Sequence, residues 1–229
     1  MITRRLAGAR LGSLIAAIVA IGLVGPAFAG EAVPPAESGS AVKPDFLPSA
    51  DPPTAAETKE IQEMRKAAEE GDTYAQLSLG LCYQGGRGVP KDAGQAIQWF
   101  RRAAERGFDA AEYTLGCCYN GDDGFPKDPS EAAKWWGKAA AQGYADAQYC
   151  LGLSYSVGAG VAKNSAEAAK WWKKAAEQEH ANAQYFLGLS YYLGLGVPKI
   201  HEQAIYWLRK AVANGNESAM DALKKLGQG

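Results

Sequence analysis

The stretch "AAKWWGKAAAQG", Ala132 to Gly143, decides how this chain folds, because the sequence says it again as "AAKWWKKAAEQE" from Ala168 to Glu179. Two adjacent tryptophans in a small and charged run are either a stacking platform for a ligand or a pair of core rings. The recurrence resolves the choice. Equivalent positions read Ala96, Trp99, Phe100, Ala103 and Ala104 upstream, then Ala132, Trp135, Trp136, Ala139 and Ala140, then Trp171 with Trp172 and Trp207 with Leu208. This spacing of i, i+3, i+4, i+7 and i+8 is the apolar stripe of a helix facing a core. Both rings of each pair fall on the stripe, so all six tryptophans are read as structural core. Burying roughly 150 to 250 Å² per ring at roughly 25 cal/mol/Å² contributes on the order of 4 to 6 kcal/mol gross for each.

The register extends well beyond the tryptophans. Ala75, Ala111, Ala147, Ala183 and Ala219 recur every 36 residues, followed four places later by Leu79, Leu115, Leu151, Leu187 and Leu223, then by Gly80, Gly116, Gly152 and Gly188, then by Tyr83, Tyr119, Tyr155 and Tyr191. Ala, Leu and Tyr at i, i+4 and i+8 share one face of a helix, here called A. A glycine loop follows, stopped by Pro90, Pro126 or Pro198. The helix carrying the tryptophans, B, opens on Asp92, Asp128 or Asn164, with Gln95, Glu131 or Glu167 three places on as a capping box and Pro129 at a first helical position. Ile200 makes the fourth cap weaker. Gly107, Gly143 and Gly215 end helix B, whereas Glu179 replaces that glycine and predicts a strained turn. A glycine inside helix A costs about 1 kcal/mol relative to alanine, which is sensible only if helix B packs close against it. No single helix pair buries both its faces, so the pattern predicts an all-α solenoid of 36-residue helix-turn-helix repeats stabilised by stacking.

The array is expected over residues 57–229: a half repeat at 57–74, full repeats at 75–110, 111–146, 147–182 and 183–218, and a cap helix at 219–229. Glu63 stands where a tryptophan would be, and Asp221, Lys224 and Lys225 suit a water-facing end. Residues 1–29 have the parts of a secretory signal: Arg4, Arg5 and Arg10, an apolar run from Leu11 to Val24, and Ala27-Phe28-Ala29 as a cleavage site. The apolar run falls short of the roughly 20 residues that span a bilayer, although an uncleaved signal can tether. Arg4-Arg5 fits a twin-arginine export signal poorly. Residues 30–56 hold six of the eleven prolines and read as a flexible, disordered linker. Cleavage would leave 21 basic against 25 acidic residues, a net charge of −4. That argues against nucleic acid and anionic membrane surfaces as partners, and no integral span would remain.

The pattern A-x-x-x-L-G-x-x-Y-x-x-G-x-G-V, then K-D, then A-x-x-W-[FW]-x-x-A-A-x-x-G, resembles the Sel-1-like repeat, a relative of the tetratricopeptide repeat. The resemblance covers four copies from Ala75 to Ser218, with Asp122 and Phe125 departing from the loop pattern in the second. It implies an α/α solenoid with a right-handed superhelix that holds other proteins, and in bacteria an exported member serving envelope, signalling or host-contact assemblies.

Residues for catalysis are scarce. Only His180 and His201 exist, the first at the inter-helix position filled elsewhere by Asp72, Phe108, Tyr144 and Asn216, the second at the start of a helix B. Neither has metal-binding spacing, the glycine loops lack the Lys-Ser/Thr of a phosphate loop, and no cofactor is expected. Four cysteines in an exported chain raise the question of disulfides. Cys82 and Cys118 are equivalent in adjacent repeats, about 8 to 10 Å apart and beyond the roughly 7 Å Cα limit. Cys150 could approach Cys117 or Cys118; otherwise the thiols stay free and buried. A cysteine-rich branch of the family, in Helicobacter, was linked to β-lactam binding and hydrolysis. The resemblance implies that its cysteine staple between helix B and the next helix A would fall here on Ala104 and Glu112, or on Ala140 and Gln148, so the staple is absent and the enzyme reading weakens.

A partner is expected on the concave side, lined by the A helices. Three columns point away from the core stripe: Leu77, Tyr113, Tyr149 and Tyr185; Leu81, Cys117, Leu153 and Leu189; and Gln84, Asn120, Ser156 and Tyr192. Tyrosine is a favoured anchor for a protein or peptide, and the third column varies most between copies. The competing reading packs the tyrosines between neighbouring A helices. The function expected is a non-catalytic interaction scaffold or adaptor of the cell envelope, periplasmic or secreted. The alternatives are a β-lactam-binding enzyme and a periplasmic regulator of a membrane sensor.

Overall fold

The computed structural model describes residues 59–121 and 125–227, so the expected signal and the proline-rich linker lie outside the described residues. Among the described residues there are ten helices and no strand. They are α1 Lys59–Glu70, α2 Thr73–Gly85, α3 Ala93–Glu105, α4 Asp109–Asn120, α5 Pro129–Ala141, α6 Ala145–Val157, α7 Ser165–Glu177, α8 Ala181–Leu193, α9 His201–Ala213 and α10 Glu217–Lys225. Each A helix starts two residues ahead of its lead alanine, and consecutive helices pack in tandem. The chain divides into two compact units between Leu151 and Gly152, within α6.

Helix starts follow the polar residues that the sequence places there. Asp92 accepts from the Gln95 N–H at 3.0 Å, Asp128 from Ser130 and Glu131 at 3.0 and 3.1 Å, and Asn164 from Ala166 and Glu167 at 3.0 and 3.1 Å. Ile200 supplies no side-chain cap, as its chemistry requires. The reciprocal half of the capping box is different from the expectation. Instead of reaching back, the Glu131 carboxylate accepts from Lys134 at 2.8 Å and from the Trp135 indole at 3.1 Å, and Glu167 accepts from Lys170 at 2.6 Å. An ammonium one turn along the helix outcompetes a single backbone N–H. At the other end of helix B, Gly107, Gly143 and Gly215 take φ of 80°, 102° and 89°, and Glu179 takes 66°, the one positive-φ residue other than glycine among the described residues.

The first unit holds α1 to α5 and the start of α6. Its core contains Ile61, Leu79, Cys82, Val89 and Trp99 around the first helices, then Leu77, Phe100, Leu115, Phe125 and Trp135. Phe125, the departure in the second loop, is buried where the first copy has the buried Val89. The second unit centres on Tyr185, Leu189, Leu208, Ala211, Ala219 and Leu223. In both units the glycine inside helix A receives the second aromatic or aliphatic residue of helix B: Phe100 over Gly80, Trp136 over Gly116, Trp172 over Gly152 and Leu208 over Gly188. A methyl group at any of the four would overlap that side chain. In α10 the equivalent position is Lys224, which pairs with Asp221 at 3.7 Å.

The first ring of each tryptophan pair lies at the edge of the stripe under a cation from its own helix. Arg102 sits 4.4 Å from the Trp99 ring, Lys138 3.8 Å from Trp135, Lys174 4.0 Å from Trp171 and Lys210 5.6 Å from Trp207. Five of the six indoles are buried and Trp171 is half-buried. The stems of the basic side chains cover rings whose other face meets the core.

A polar seam joins helix B to the next helix A at three of the joints. The amide of Gln76 donates to the Ala68 carbonyl at 2.9 Å and that of Gln148 to Ala140 at 3.1 Å in the first unit; in the second, Gln184 donates to Ala176 at 3.1 Å. These are the positions where the cysteine-rich relatives would carry a staple. A hydrogen bond between an amide and the end of a helix takes its place, and at the second copy the residue is Glu112.

Candidate protein-binding face

The A helices carry the columns singled out for a partner, and their exposure divides them. Tyr149 and Tyr185 are 2% and 3% exposed, and Leu77, Leu153, Leu189, Asn120 and Ser156 are buried too. This corrects the expected groove at five positions: Leu77, Tyr149, Tyr185, Leu153 and Leu189, two or six places after the lead alanine, are drawn into the packing rather than left in a hollow. Tyr185 meets Phe186 edge-on at 5.3 Å within the core of the second unit, and burial, with Asp221 nearby, pushes its hydroxyl well above the ordinary tyrosine value. Ser156 donates its hydroxyl to the Leu153 carbonyl at 2.8 Å, which absorbs its polarity within the helix. Half-exposed are Leu81, Gln84, Tyr113 and Cys117 in the first unit and Tyr192 in the second.

In the first unit four accessible rings meet in two pairs. Tyr113 stacks on Tyr144 with ring centroids 5.1 Å apart and planes at 28°. Tyr74, 62% exposed, lies 4.6 Å from Phe108. Each pair joins a helix A to the turn that leads into the next one. Burial raises the Tyr113 hydroxyl above its usual range, helped by Cys117 and Cys150 beside it, and burial with Asp146, Asp109 and Cys117 pushes Tyr144 up to about 12. Both stay protonated donors throughout the physiological range. Sequence reasoning missed Tyr74, Phe108 and Tyr144, although the inter-helix column Asp72, Phe108, Tyr144, His180 and Asn216 contained the signal: two of its five members are aromatic at the place where Asp72, His180 and Asn216 cap a helix. In the second unit Tyr192 has Lys199 at 5.6 Å and His201 at 6.0 Å from its ring.

The remaining candidates resolve into structure. The Nδ1 atom of buried His180 accepts from the Ala183 N–H at 3.1 Å, capping α8. Cys82, Cys117, Cys118 and Cys150 form no disulfide among the described residues, so the pairing of Cys150 with Cys117 or Cys118 is not made; Cys117 and Cys150 instead flank the Tyr113 hydroxyl. Burial, partly offset by Arg87, pushes the Cys82 thiol up to about 11. Among the described residues no group of histidines, cysteines and carboxylates could hold a metal ion, and no helix is long and apolar enough to cross a membrane.

Tandem helix pairs in a fixed register, with a glycine of one helix seating an aromatic or leucine of the other, define an α/α repeat protein. Residues 73–108, 109–144, 145–180 and 181–216 each match the Sel1 repeat, so the chain belongs to the Sel1 repeat family, whose members are typically protein-protein interaction scaffolds. Among solved structures it is similar to a protective antigen of uropathogenic Escherichia coli displaying an SLR fold, at 39% identity and a TM-score of 0.69 over 73% of this chain. It is also similar to a Sel1 repeat protein from Oxalobacter formigenes, at 39% identity and a TM-score of 0.67 over 75% of this chain. The chain spans 36% of the first of those proteins and 50% of the second. No curated protein matches it.

Proposed function

We propose that the protein is a non-catalytic scaffold or adaptor of the cell envelope that holds a protein or peptide partner on the aromatic face of its first unit. The observation that carries this reading is the pair of preformed ring contacts, the tilted Tyr74 with Phe108 and the stacked Tyr113 with Tyr144, with Tyr74 exposed and the other three rings half-exposed. Preformed rings lose little freedom when a partner covers them, so burial of its apolar side chains is not offset by ordering of the host. The hydroxyl of the exposed Tyr74 gives the contact direction. Tyr192, with the Lys199 ammonium beside it, is the corresponding contact in the second unit. The signal-like residues 1–29 support export to the periplasm or beyond.

Photo-crosslinking amino acids placed at Tyr74 and Tyr144 test the face, with Lys173 on α7 as the reference position. Discrete adducts from the first two, absent from the third, with the Tyr74 adduct lost in the Tyr113→Ala/Tyr144→Ala double variant while helical circular dichroism stays intact, support it. Equal labelling from Lys173 removes the assignment. Turnover of nitrocefin by the purified protein overturns the non-catalytic reading, and recovery of the uncleaved chain from the cytoplasm overturns export.

A further inference from the structure

The seam between helix B and the next helix A contains its own control. Where the residue is glutamine, its amide nitrogen donates to a carbonyl eight positions back, at Ala68, Ala140 or Ala176. In the fourth copy the amide oxygen of Gln184 also accepts from the Asn214 amide at 3.0 Å, so one side chain ties two helix ends together. Glu112 keeps the second of these bonds and lacks the chemistry for the first. Its carboxylate accepts from the Gln142 amide at 2.8 Å, but an ionised carboxylate has no hydrogen to offer the equivalent carbonyl, that of Ala104. Glu112 is nevertheless 4% exposed, as buried as its glutamine counterparts.

We propose that Glu112 is a proton-operated joint between the first and second repeats: taking up a proton from solvent, its carboxyl donates to the Ala104 carbonyl while accepting from Gln142, and closes the seam as glutamine does elsewhere. Ionisation removes that donor and places a negative charge against the carbonyl end of α3, the unfavourable end of the helix dipole for an anion. The surroundings bear on the proton from each side. On its own helix Asp109 favours protonation; Lys138 on α5 and the Gln142 amide just past its end favour the anion, while Arg106, at the end of α3, donates to the Gly71 carbonyl at 3.2 Å. Burial outweighs the rest, and the carboxyl titrates above the ordinary range.

The folded chain therefore holds this proton more tightly than the unfolded one. The stabilisation is fully present below the unfolded value, about 4.3, and is lost as pH rises through the folded value. Each unit between the two changes the folding constant by up to about tenfold.

Carbon-13 NMR of the Glu112 side-chain carboxyl in the full chain, with thermal melts from pH 4 to 8, tests the joint. Glu112 should titrate above the ordinary glutamate range, and Glu112→Gln should melt higher than the parent at neutral pH, the gap closing on acidification. Gln142→Ala, which removes a donor to the anion, should move the midpoint up, and Asp109→Asn should move it down. A midpoint at or below 4.3, or melts of Glu112→Gln that run parallel to the parent at every pH, overturns the proposal. The carboxyl titration decides it alone if the variants do not fold.

Discussion

Gly116 shows how a single missing atom group organises a repeat. Alanine normally stabilises a helix interior relative to glycine by about 1 kcal/mol, yet here the added methyl would overlap the Trp136 indole. Gly116→Ala should therefore destabilise the protein by about 1 to 3 kcal/mol, the range of overpacked cores, measured by denaturant unfolding. Glu179 presents the opposite case. It holds a φ of 66° at a turn where three of the four equivalent glycines, Gly107, Gly143 and Gly215, have nothing within 4 Å of an added Cβ, so the strain is in the backbone and not in crowding. Glu179→Gly should stabilise by about 1 kcal/mol, a rise of roughly 2 to 4 °C in melting temperature, with the Asn214 bond to its carbonyl kept. Both positions were legible before any coordinates, because the fixed register makes each copy a comparison for the others: a glycine inside a helix demands a close neighbour, and a glutamate in a glycine place demands strain.

At the scale of the helix, periodicity fixes which residues share a face but not how near two neighbouring faces come. The stripe that carries Trp99, Trp135 and Trp172 was readable for that reason, and so were the caps at Asp92, Asp128 and Asn164. The tyrosines were not, since Tyr149 and Tyr185 lie on the side of helix A that only packing distance distinguishes from a groove. Tyr185→Ala should lose on the order of 3 kcal/mol of stability, as for other large buried side chains, whereas Tyr74→Ala should change it by less than about 0.5 kcal/mol. Paired thermal or denaturant melts separate the two. The aromatic face was hidden for a further reason. Its rings belong to the turns as much as to the helices, where a sequence pattern is expected to report capping, and Phe108 makes no cap bond at all.

At the scale of the molecule, the constant period makes a repeat a removable part. Excision of residues 109–144 joins Phe108 to Ala145 and brings Gln148 into register with the Ala104 carbonyl, a pairing the other copies already use. The shortened chain should fold, keep its helicity per residue in circular dichroism, and unfold in denaturant with a lower m-value in proportion to the buried surface lost. An unfolded product would mean that the copies are less interchangeable than their common seam implies.

A notch that recurs in successive A helices is a docking point for any helix that fits it. Every complete repeat offers its successor helix a smooth notch, a residue without a side chain, and α10 would offer the same notch to a thirteen-residue helix from any copy that came by. Lys224 fills it with a charged arm anchored to Asp221. A helix seated over α10 as helix B is seated elsewhere would have to bury an ammonium group and its counter-ion, a desolvation that weighs against docking at this position.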